Sequence, residues 1–349
     1  MFVCHLTQYW WMLDLPEPFV KLTQVGAHGV DIFIVLSGFV LMLAFTRPGR
    51  AVDVRGFYGR RMWRILPAYW VALAFATLFA ATPLWRLTVG GQATPWDVLV
   101  HALGLQTIFT PTLSSINGSL WSVSLELCLY LLFPLLVVLL HRFGGITLML
   151  AAIALCGVLG ATGAAIGGPF GSFPSDPFSL PMRLVQFVAG MVLATIVARL
   201  DVSRIRESRR GRLLAWAGAL AAGVIATLAS TLEAPFVVTH SLWALSGASL
   251  VWLFAVLPAS RPLTLLDAAG QRAYSFYLLH QPIVLLLIPL VVVLPAPGLV
   301  VLAVVGTLGL IITGLAAELL FRFVERPSHR AAQHRFPRVY RDNAASRNT

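Results

Sequence analysis

The chain has 349 residues, of which 58% are hydrophobic and 11% are charged, and its mean hydropathy is +0.83. So little charge excludes an ordinary water-soluble globular domain. The net charge of +11 falls in short basic clusters between apolar runs, which is typical of loops at an anionic membrane surface and not of a nucleic-acid-binding face. We therefore expect an all-α, polytopic transmembrane bundle with no nucleic-acid partner.

Apolar runs long enough to cross a bilayer recur along the chain. Nine are candidates for spanning helices, near 30–46, 67–83, 122–140, 144–166, 181–200, 212–231, 240–258, 273–295 and 298–323. Residues 1–13 supply little more than half a span, and we count them as the first of ten crossings. Residues 96–110, which include His101, are too short to cross, so we expect a re-entrant or interfacial piece there.

Basic clusters predict the orientation, because cytoplasmic loops collect Lys and Arg. The clusters lie at Arg47–Arg64, at Arg199–Arg212 and from Arg322 onward. Ten crossings place all of them, and both termini, on the cytoplasmic side. We expect one membrane domain, 1–326, followed by a basic tail, 327–349, that is mobile and need not fold.

Metal and disulfide sites are not indicated. The three cysteines, Cys4, Cys128 and Cys156, lie in apolar runs without the spacing of a metal site or a disulfide framework. We expect no metal.

Ionisable side chains inside a bilayer are costly, so each one is a candidate for function. Glu126 lies in "NGSLWSVSLELCLY", and Ser122 and Tyr130 flank it at helical spacing, which predicts one polar stripe on an apolar helix. An acid that caps or snorkels near the interface is the structural alternative. Asp31 follows His28 in "HGVDIFIVLSGF", where a helix cap is as good an interpretation as a catalytic acid.

Two histidines and one pair of small residues complete the candidates. His280 shares a helical face with Tyr277 in "YSFYLLHQP", and hydrogen bonding between helices explains it as well as a functional role does. His5 lies among apolar neighbours, where an imidazole can act as a base near neutral pH. Ser37 and Gly38 predict a place where another helix packs closely.

Five segments in order carry a family resemblance: "HGVDIFIVLSGF" (28–39), "RRMWRILPAYW" (60–70), "NGSLWSVSLELCLYLLFPLL" (117–136), "AYSFYLLHQP" (273–282) and "FVERP" (323–327). Along nearly the whole chain they resemble the acyltransferase 3 family of integral membrane acyltransferases. The resemblance implies transfer of an acyl group, commonly acetyl, from cytoplasmic acyl-CoA to a hydroxyl of a carbohydrate or similar acceptor. It also implies a location in the bacterial inner membrane, with the acceptor on the outer side.

The same resemblance implies roles for particular residues. His5 matches the family's first-helix histidine and would be catalytic, and Glu126 comes from the "WSxSxE"-like segment. The segment "RRMWRI", whose arginines are Arg60, Arg61 and Arg64, is similar to the part associated with acyl-CoA.

The sequence departs from the family pattern at two places. Relatives carry an arginine upstream of the first-helix histidine, at a distance that this sequence is too short to include before His5. We expect either that the native start lies further upstream or that this member has lost the arginine. Leu127 stands where many relatives have a second acid, so no role for a carboxylate pair carries over.

A mechanism can be predicted from these parts. His5 takes the proton of the acceptor hydroxyl as that hydroxyl attacks the thioester. Glu126 or Asp31 orients the imidazole, and Ser122, Ser124 or Tyr277 donates to the oxyanion. The pantetheine arm of acyl-CoA threads between helices from the arginines toward Glu126. A membrane carrier of acyl groups or lipid-linked sugars is the alternative, because it too needs ionisable residues that face a cavity.

Overall fold

The computed structural model describes residues 1–8, 15–46, 53–83, 85, 93–258, 261–294 and 296–337, and these residues are mostly helical. The first eight helices are α1 (Phe2–Thr7), α2 (Glu17–Gln24), α3 (Gly29–Phe45), α4 (Val54–Ala80), α5 (Pro95–Ala102), α6 (Trp121–Phe143), α7 (Gly145–Thr162) and α8 (Leu180–Val197). The others are α9 (Val202–Glu207), α10 (Arg209–Thr231), α11 (Phe236–Val256), α12 (Arg261–Gly270), α13 (Ala273–Val293), α14 (Gly298–Leu320) and α15 (Arg326–Arg335).

Within the described ranges, nine helical segments are long and apolar enough to cross a membrane, which confirms the predicted polytopic bundle. They correspond to the nine predicted runs. The predicted crossing at 1–13 is described only as far as α1 and Gln8, since residues 9–14 lie outside the described ranges. The multi-pass character is therefore established by the nine longer segments.

The short segment around His101 does not span. Helix α5 has eight residues and begins at a capping box, in which Thr94 and Asp97 bond to each other's backbone N–H. Burial by itself would raise the pKa of Asp97, but the hydrogen bonds that Thr94 donates lower it. Turns follow α5 directly, so the expectation of a short non-spanning piece is confirmed.

Helix α4 begins earlier than its apolar run predicts. We expected a start near residue 67, whereas Asp53 caps a helix that starts at Val54, and its Oδ1 accepts from Gly56 N at 2.8 Å. Arginine is a good helix former, so a basic stretch extends a helix that hydropathy ends early. Pro67 consequently lies inside the helix.

The first part of the predicted mobile tail is also helical. A π-helical turn, Phe321–Glu325, joins α14 to α15, which runs to Arg335. Ser328 and Ala332 are buried where α15 packs on α4, and this packing is why the basic segment is ordered. Residues 338–349 of the predicted tail lie outside the described ranges.

The centre of the bundle depends on a close crossing of α3 and α8. A Cβ atom at Gly38 would collide with the carbonyl oxygen of Phe187, and one at Gly190 would collide with that of Val35. Only glycine lets the two backbones approach this far. The close-packing site predicted at Ser37 and Gly38 is confirmed.

The peripheral and central helices differ in what they expose. Helices α7 and α10 present large apolar side chains outward, as a surface in contact with lipid does. Among the spanning segments of the described ranges, the one that contains α6 is the most deeply buried. The candidate polar residues therefore lie where lipid does not reach them.

Candidate functional site

The predicted polar stripe on α6 is present and buried. Ser122, Glu126 and Tyr130 follow one another along the helix and are each less than 9% exposed. The hydroxyl of Tyr130 donates to Oε1 of Glu126, one turn away. The stripe runs along the packed interior between α6, α4 and α13.

One end of the stripe, here called the arginine end, faces α4. The guanidinium of Arg61 lies over the ring of Tyr130, 5.4 Å from its centroid, and Arg61 and Arg64 are both within electrostatic range of Glu126. Three arginines, Arg60, Arg61 and Arg64, line a cavity of about 490 Å³ at this end. The structure thus brings the predicted arginine cluster next to Glu126.

The middle of the stripe contacts α13 through two hydroxyls. Tyr277 donates to the carbonyl oxygen of Ser119 at 2.7 Å, and Ser122 donates to the hydroxyl of Tyr277 at 2.7 Å. A carbonyl oxygen only accepts, so the single proton of Tyr277 is committed to Ser119. Both hydroxyl protons are engaged in this arrangement, and an oxyanion would have to displace one of these bonds.

The other end of the stripe, here called the histidine end, holds His5 and His280. Their ring centroids are 5.0 Å apart, and the two side chains are 9% and 1% exposed. The short α1 is positioned by α2: Gln24 donates to the carbonyl of Cys4 at 3.3 Å, and the hydroxyls of Thr7 and Thr23 lie 2.8 Å apart. These contacts hold His5 against α13.

Pro282 explains how α6 and α13 meet beside His280. Proline has no N–H, so the carbonyl of Leu278, four residues earlier, loses its helical donor. The side-chain amide of Asn117 donates to that carbonyl at 3.3 Å. Asn117 also caps the short turn before α6 by accepting from Ser119 N at 3.0 Å. One asparagine therefore joins the start of α6 to the turn that carries His280.

The tautomer of His280 follows from its partner. Its Nδ1 lies 2.6 Å from the carbonyl oxygen of Tyr277, which only accepts, so Nδ1 carries the proton and Nε2 has a free lone pair. The Nδ1 of His5 similarly lies 3.2 Å from Oε1 of Gln8. Three buried acceptor atoms, Nε2 of His5, Nε2 of His280 and Oε1 of Gln281, have no hydrogen-bond partner among the described residues.

Asp31 lies in a different cluster. Its Oδ1 accepts from Arg183 at 2.6 Å and from Gln186 at 2.8 Å, and its Oδ2 lies 2.6 Å from Nδ1 of His28. The Nδ1 of His240 lies 3.1 Å from the same Oδ1. All the hydrogen bonds and ion pairs of Asp31 in the described chain belong to this network, so the structure does not place it beside His5.

The Asp31 cluster offers three atoms of metal-ligand type, from His28, Asp31 and His240, within 4.8 Å of one another. Arg183 lies against two members of this set, because its Nη1 contacts Asp31 at 2.6 Å and His240 at 3.0 Å. A guanidinium in that place repels a cation, and the geometry is that of a buried ion pair.

Glu126 is likewise placed away from the predicted role of orienting His5. Its partners in the described chain include Tyr130, Ser37 of α3 and the arginines at the arginine end of the stripe, whereas His5 packs on His280 at the other end. Counted along α6 and the turn before it, Tyr130 and Asn117 are separated by roughly 20 Å. Tyr277, within electrostatic range of Glu126, connects the two ends.

The chain is similar in sequence to several known acyltransferases. The chain is 26% identical over 329 residues to the peptidoglycan O-acetyltransferase OatA of Listeria monocytogenes, covering 86% of this chain and 51% of the relative. It is 26% identical over 327 residues to the O-acetyltransferase OatA of Staphylococcus aureus, covering 86% of this chain and 52% of the relative. It is 28% identical over 220 residues to the acyltransferase MdmB of Streptomyces mycarofaciens, covering 56% of this chain and 54% of the relative.

The chain spans about half the length of the curated relatives it matches. No solved structure matches it. The family model Acyl_transf_3, described as an acyltransferase domain, matches residues 2–316, which is nearly the whole chain. The chain belongs to the acyltransferase 3 family of integral membrane acyltransferases.

Proposed function

We propose that this protein is a membrane O-acyltransferase that moves an acetyl group from acetyl-CoA to a hydroxyl of a cell-envelope carbohydrate or similar acceptor. The observation that carries the proposal is the buried polar stripe that connects a basic cavity at one end with two unpartnered imidazole nitrogens at the other. The names of the relatives support the reaction class, since two of those compared are O-acetyltransferases.

The donor is proposed to bind at the arginine end. Guanidinium groups form paired hydrogen bonds with phosphate oxygens, and Arg60, Arg61 and Arg64 line one cavity. Ligand sites commonly have volumes of about 300–1,000 Å³, so a cavity of about 490 Å³ suits the nucleotide part of coenzyme A. The long pantetheine arm then extends along the stripe, past Glu126 and Tyr277.

The acceptor is proposed to bind at the histidine end. The two unpartnered atoms there, Nε2 of His5 and Nε2 of His280, are both hydrogen-bond acceptors. Buried acceptors are stabilised by donors, and hydroxyl groups of a carbohydrate supply donors. This chemistry favours a polyol over an apolar acceptor.

The proposed reaction transfers one proton and one acyl group. Nε2 of His5 removes the proton from the acceptor hydroxyl as its oxygen attacks the thioester carbonyl. The new C–O bond forms, the C–S bond breaks, and the protonated imidazole returns the proton to the departing thiolate. His280 stands next to His5 with its lone pair fixed, so it is suited to bind the same hydroxyl or to share the proton.

Glu126 has a different proposed role from the one expected of it. Its carboxylate accepts from Tyr130 and faces Arg61 and Arg64, so it compensates charge where the pantetheine arm enters the stripe. We place the arginine end and both termini at the cytoplasmic face of the bacterial inner membrane, following the basic clusters.

The experiment measures alkali-labile acetate on envelope glycans at equal membrane abundance of protein. A deletion strain is complemented with the intact chain, His5→Ala, Glu126→Gln, or two matched controls at exposed positions, His141→Ala and Glu207→Gln. We expect acetate with the intact chain and the controls, and its loss with His5→Ala and Glu126→Gln.

A companion measurement tests the donor. Labelled acetyl-CoA is supplied to the cytoplasmic face of sealed inside-out vesicles, and transfer of label to envelope glycan is followed. Label that crosses the membrane without becoming esterified would support the carrier instead. Failure to use acetyl-CoA from that face would overturn the proposed donor.

A further inference from the structure

The last described segment of the chain forms a wall of the cavity at the arginine end. Residues from α15 and the two positions after it line this cavity opposite α4: His329, Ala332, Gln333, Phe336 and Pro337. The π-helical turn before α15 directs the segment there. Ser275 of α13 donates to Glu325 at the end of that turn, at 2.6 Å, and so fixes where α15 begins.

Two contacts close the segment onto α4. The ring of Phe336 packs on Gly59 so tightly that a Cβ atom there would lie 2.5 Å from the ring. Nη1 of Arg60 donates to the carbonyl oxygen of Phe336 at 3.0 Å and lies 3.6 Å from Oδ2 of Asp53. Arg60 therefore ties the end of the segment to the wall that carries the basic residues.

The lining of this cavity combines cations with aromatic rings. Three guanidinium groups share it with the rings of Phe45, Phe57 and Phe336, and Asp53 supplies a counter-charge. Guanidinium groups bind phosphates, and aromatic faces stack on nucleobases. A basic and aromatic lining together suits a phosphorylated nucleotide better than it suits a simple anion.

We propose that residues 329–337 are a lid over the donor site, and that they bind the nucleotide end of coenzyme A. Phe336 stacks on the purine, and Gln333 hydrogen-bonds to it. The guanidinium of Arg60 gives up its hydrogen bond to the carbonyl oxygen of Phe336 and donates to a phosphate instead. This inference rests on the proposed function for its ligand. It adds a binding role for a segment that the sequence presents as an unstructured basic tail.

The test measures binding of coenzyme A to the purified full-length protein by titration calorimetry, with no acceptor and no turnover. Phe336→Ala removes the stacking ring, Gln333→Ala removes an exposed polar side chain, and Gly59→Ala pushes the ring aside. His334→Ala is the matched control, because His334 is exposed on α15 and does not line the cavity.

We expect Phe336→Ala and Gly59→Ala to raise the Kd for coenzyme A about tenfold, as loss of one aromatic–base stack does. Gln333→Ala raises it about fivefold, and His334→Ala leaves it unchanged. Coenzyme A should also slow tryptic cleavage after Arg330 and Arg335, which are exposed, in the intact chain but not in Phe336→Ala.

The outcomes distinguish failure of the lid proposal from failure of the donor proposal. If the intact chain and all four variants bind coenzyme A equally and trypsin is not slowed, the lid is overturned and the donor stands. If the intact chain does not bind coenzyme A, the donor proposal fails, and the lid fails with it. Gln333→Ala keeps the test decisive even if loss of the Phe336 ring perturbs folding, because its side chain is exposed.

Discussion

Asp31→Asn should destabilise the protein strongly, because it leaves a buried guanidinium without its counter-charge. Asp31 and Arg183 are 1% and 7% exposed, and Oδ1 and Nη1 are 2.6 Å apart. Asparagine keeps the shape and can still accept a hydrogen bond, but it is neutral. Removing one partner of a buried ion pair costs about 3–5 kcal/mol. We expect the free energy of unfolding to fall by about that amount.

A double-mutant cycle checks the cause of the loss. Arg183→Met alone leaves the carboxylate of Asp31 without its counter-charge and should lower the free energy of unfolding by a similar amount. The double variant, Asp31→Asn with Arg183→Met, leaves neither charge unpaired and should recover much of the stability. Thermal unfolding of the purified variants in one detergent measures all three. Glu207→Gln is the control, because it removes a carboxylate that is exposed and not buried.

The opposite result would assign Asp31 to the chemistry. If Asp31→Asn melts like the intact chain while acyl transfer falls a hundredfold or more, the carboxylate acts on a reacting group and the buried network is not its main purpose. If the double variant is as unstable as the sum of the two single variants, the 2.6 Å contact contributes no coupling, and the magnitude argued above is wrong.

Three further predictions follow from the packing and from the stripe. Gly190→Val should prevent stable folding because its side chain would enter the backbone of α3, whereas Gly218→Ala, with open space around it, should leave the melting temperature unchanged or raise it slightly. His280→Gln should lower the rate of acetyl transfer by about 10²–10⁴-fold while the Kd for coenzyme A in calorimetry stays constant. Tyr130→Phe removes a hydrogen bond from buried Glu126 and should lower the free energy of unfolding by about 1–3 kcal/mol in the same melting assay.

The long helices were predictable from sequence because each apolar run is close to the length that a bilayer requires. The start of α4 and the whole of α15 were not. Both are rich in arginine. A low hydropathy predicts a loop for such a segment, although arginine itself favours a helix. The tertiary contacts that order α15, such as Phe336 on Gly59, join residues far apart in the chain and leave no local pattern.

The candidate site was predictable where one helix contains it. Ser122, Glu126 and Tyr130 form a stripe because of helical spacing alone, and the structure has that stripe. The pairing of His5 with His280 was not predictable, since it depends on how α1 packs on α13. Arg183, His240 and Gln186, the partners of Asp31, are residues that sequence reasoning missed. Arg183 is a charged side chain near the start of an apolar run, and this is a usable signal. It indicates a buried partner of opposite charge, which in the structure is Asp31.

The histidine pair places a limit on the chemistry that this site can perform. Two buried imidazoles with centroids 5.0 Å apart repel each other if both are protonated, so the pair holds at most one extra proton at a time. Acyl transfer to a hydroxyl requires one proton to be held while the C–O bond forms and then given to the thiolate. Since the described partners of His5 include no carboxylate, the neighbour that can share its proton is His280. We therefore propose that the two imidazoles act together as one proton carrier. A neutral substitution at either is expected to slow transfer without weakening the binding of the proposed donor.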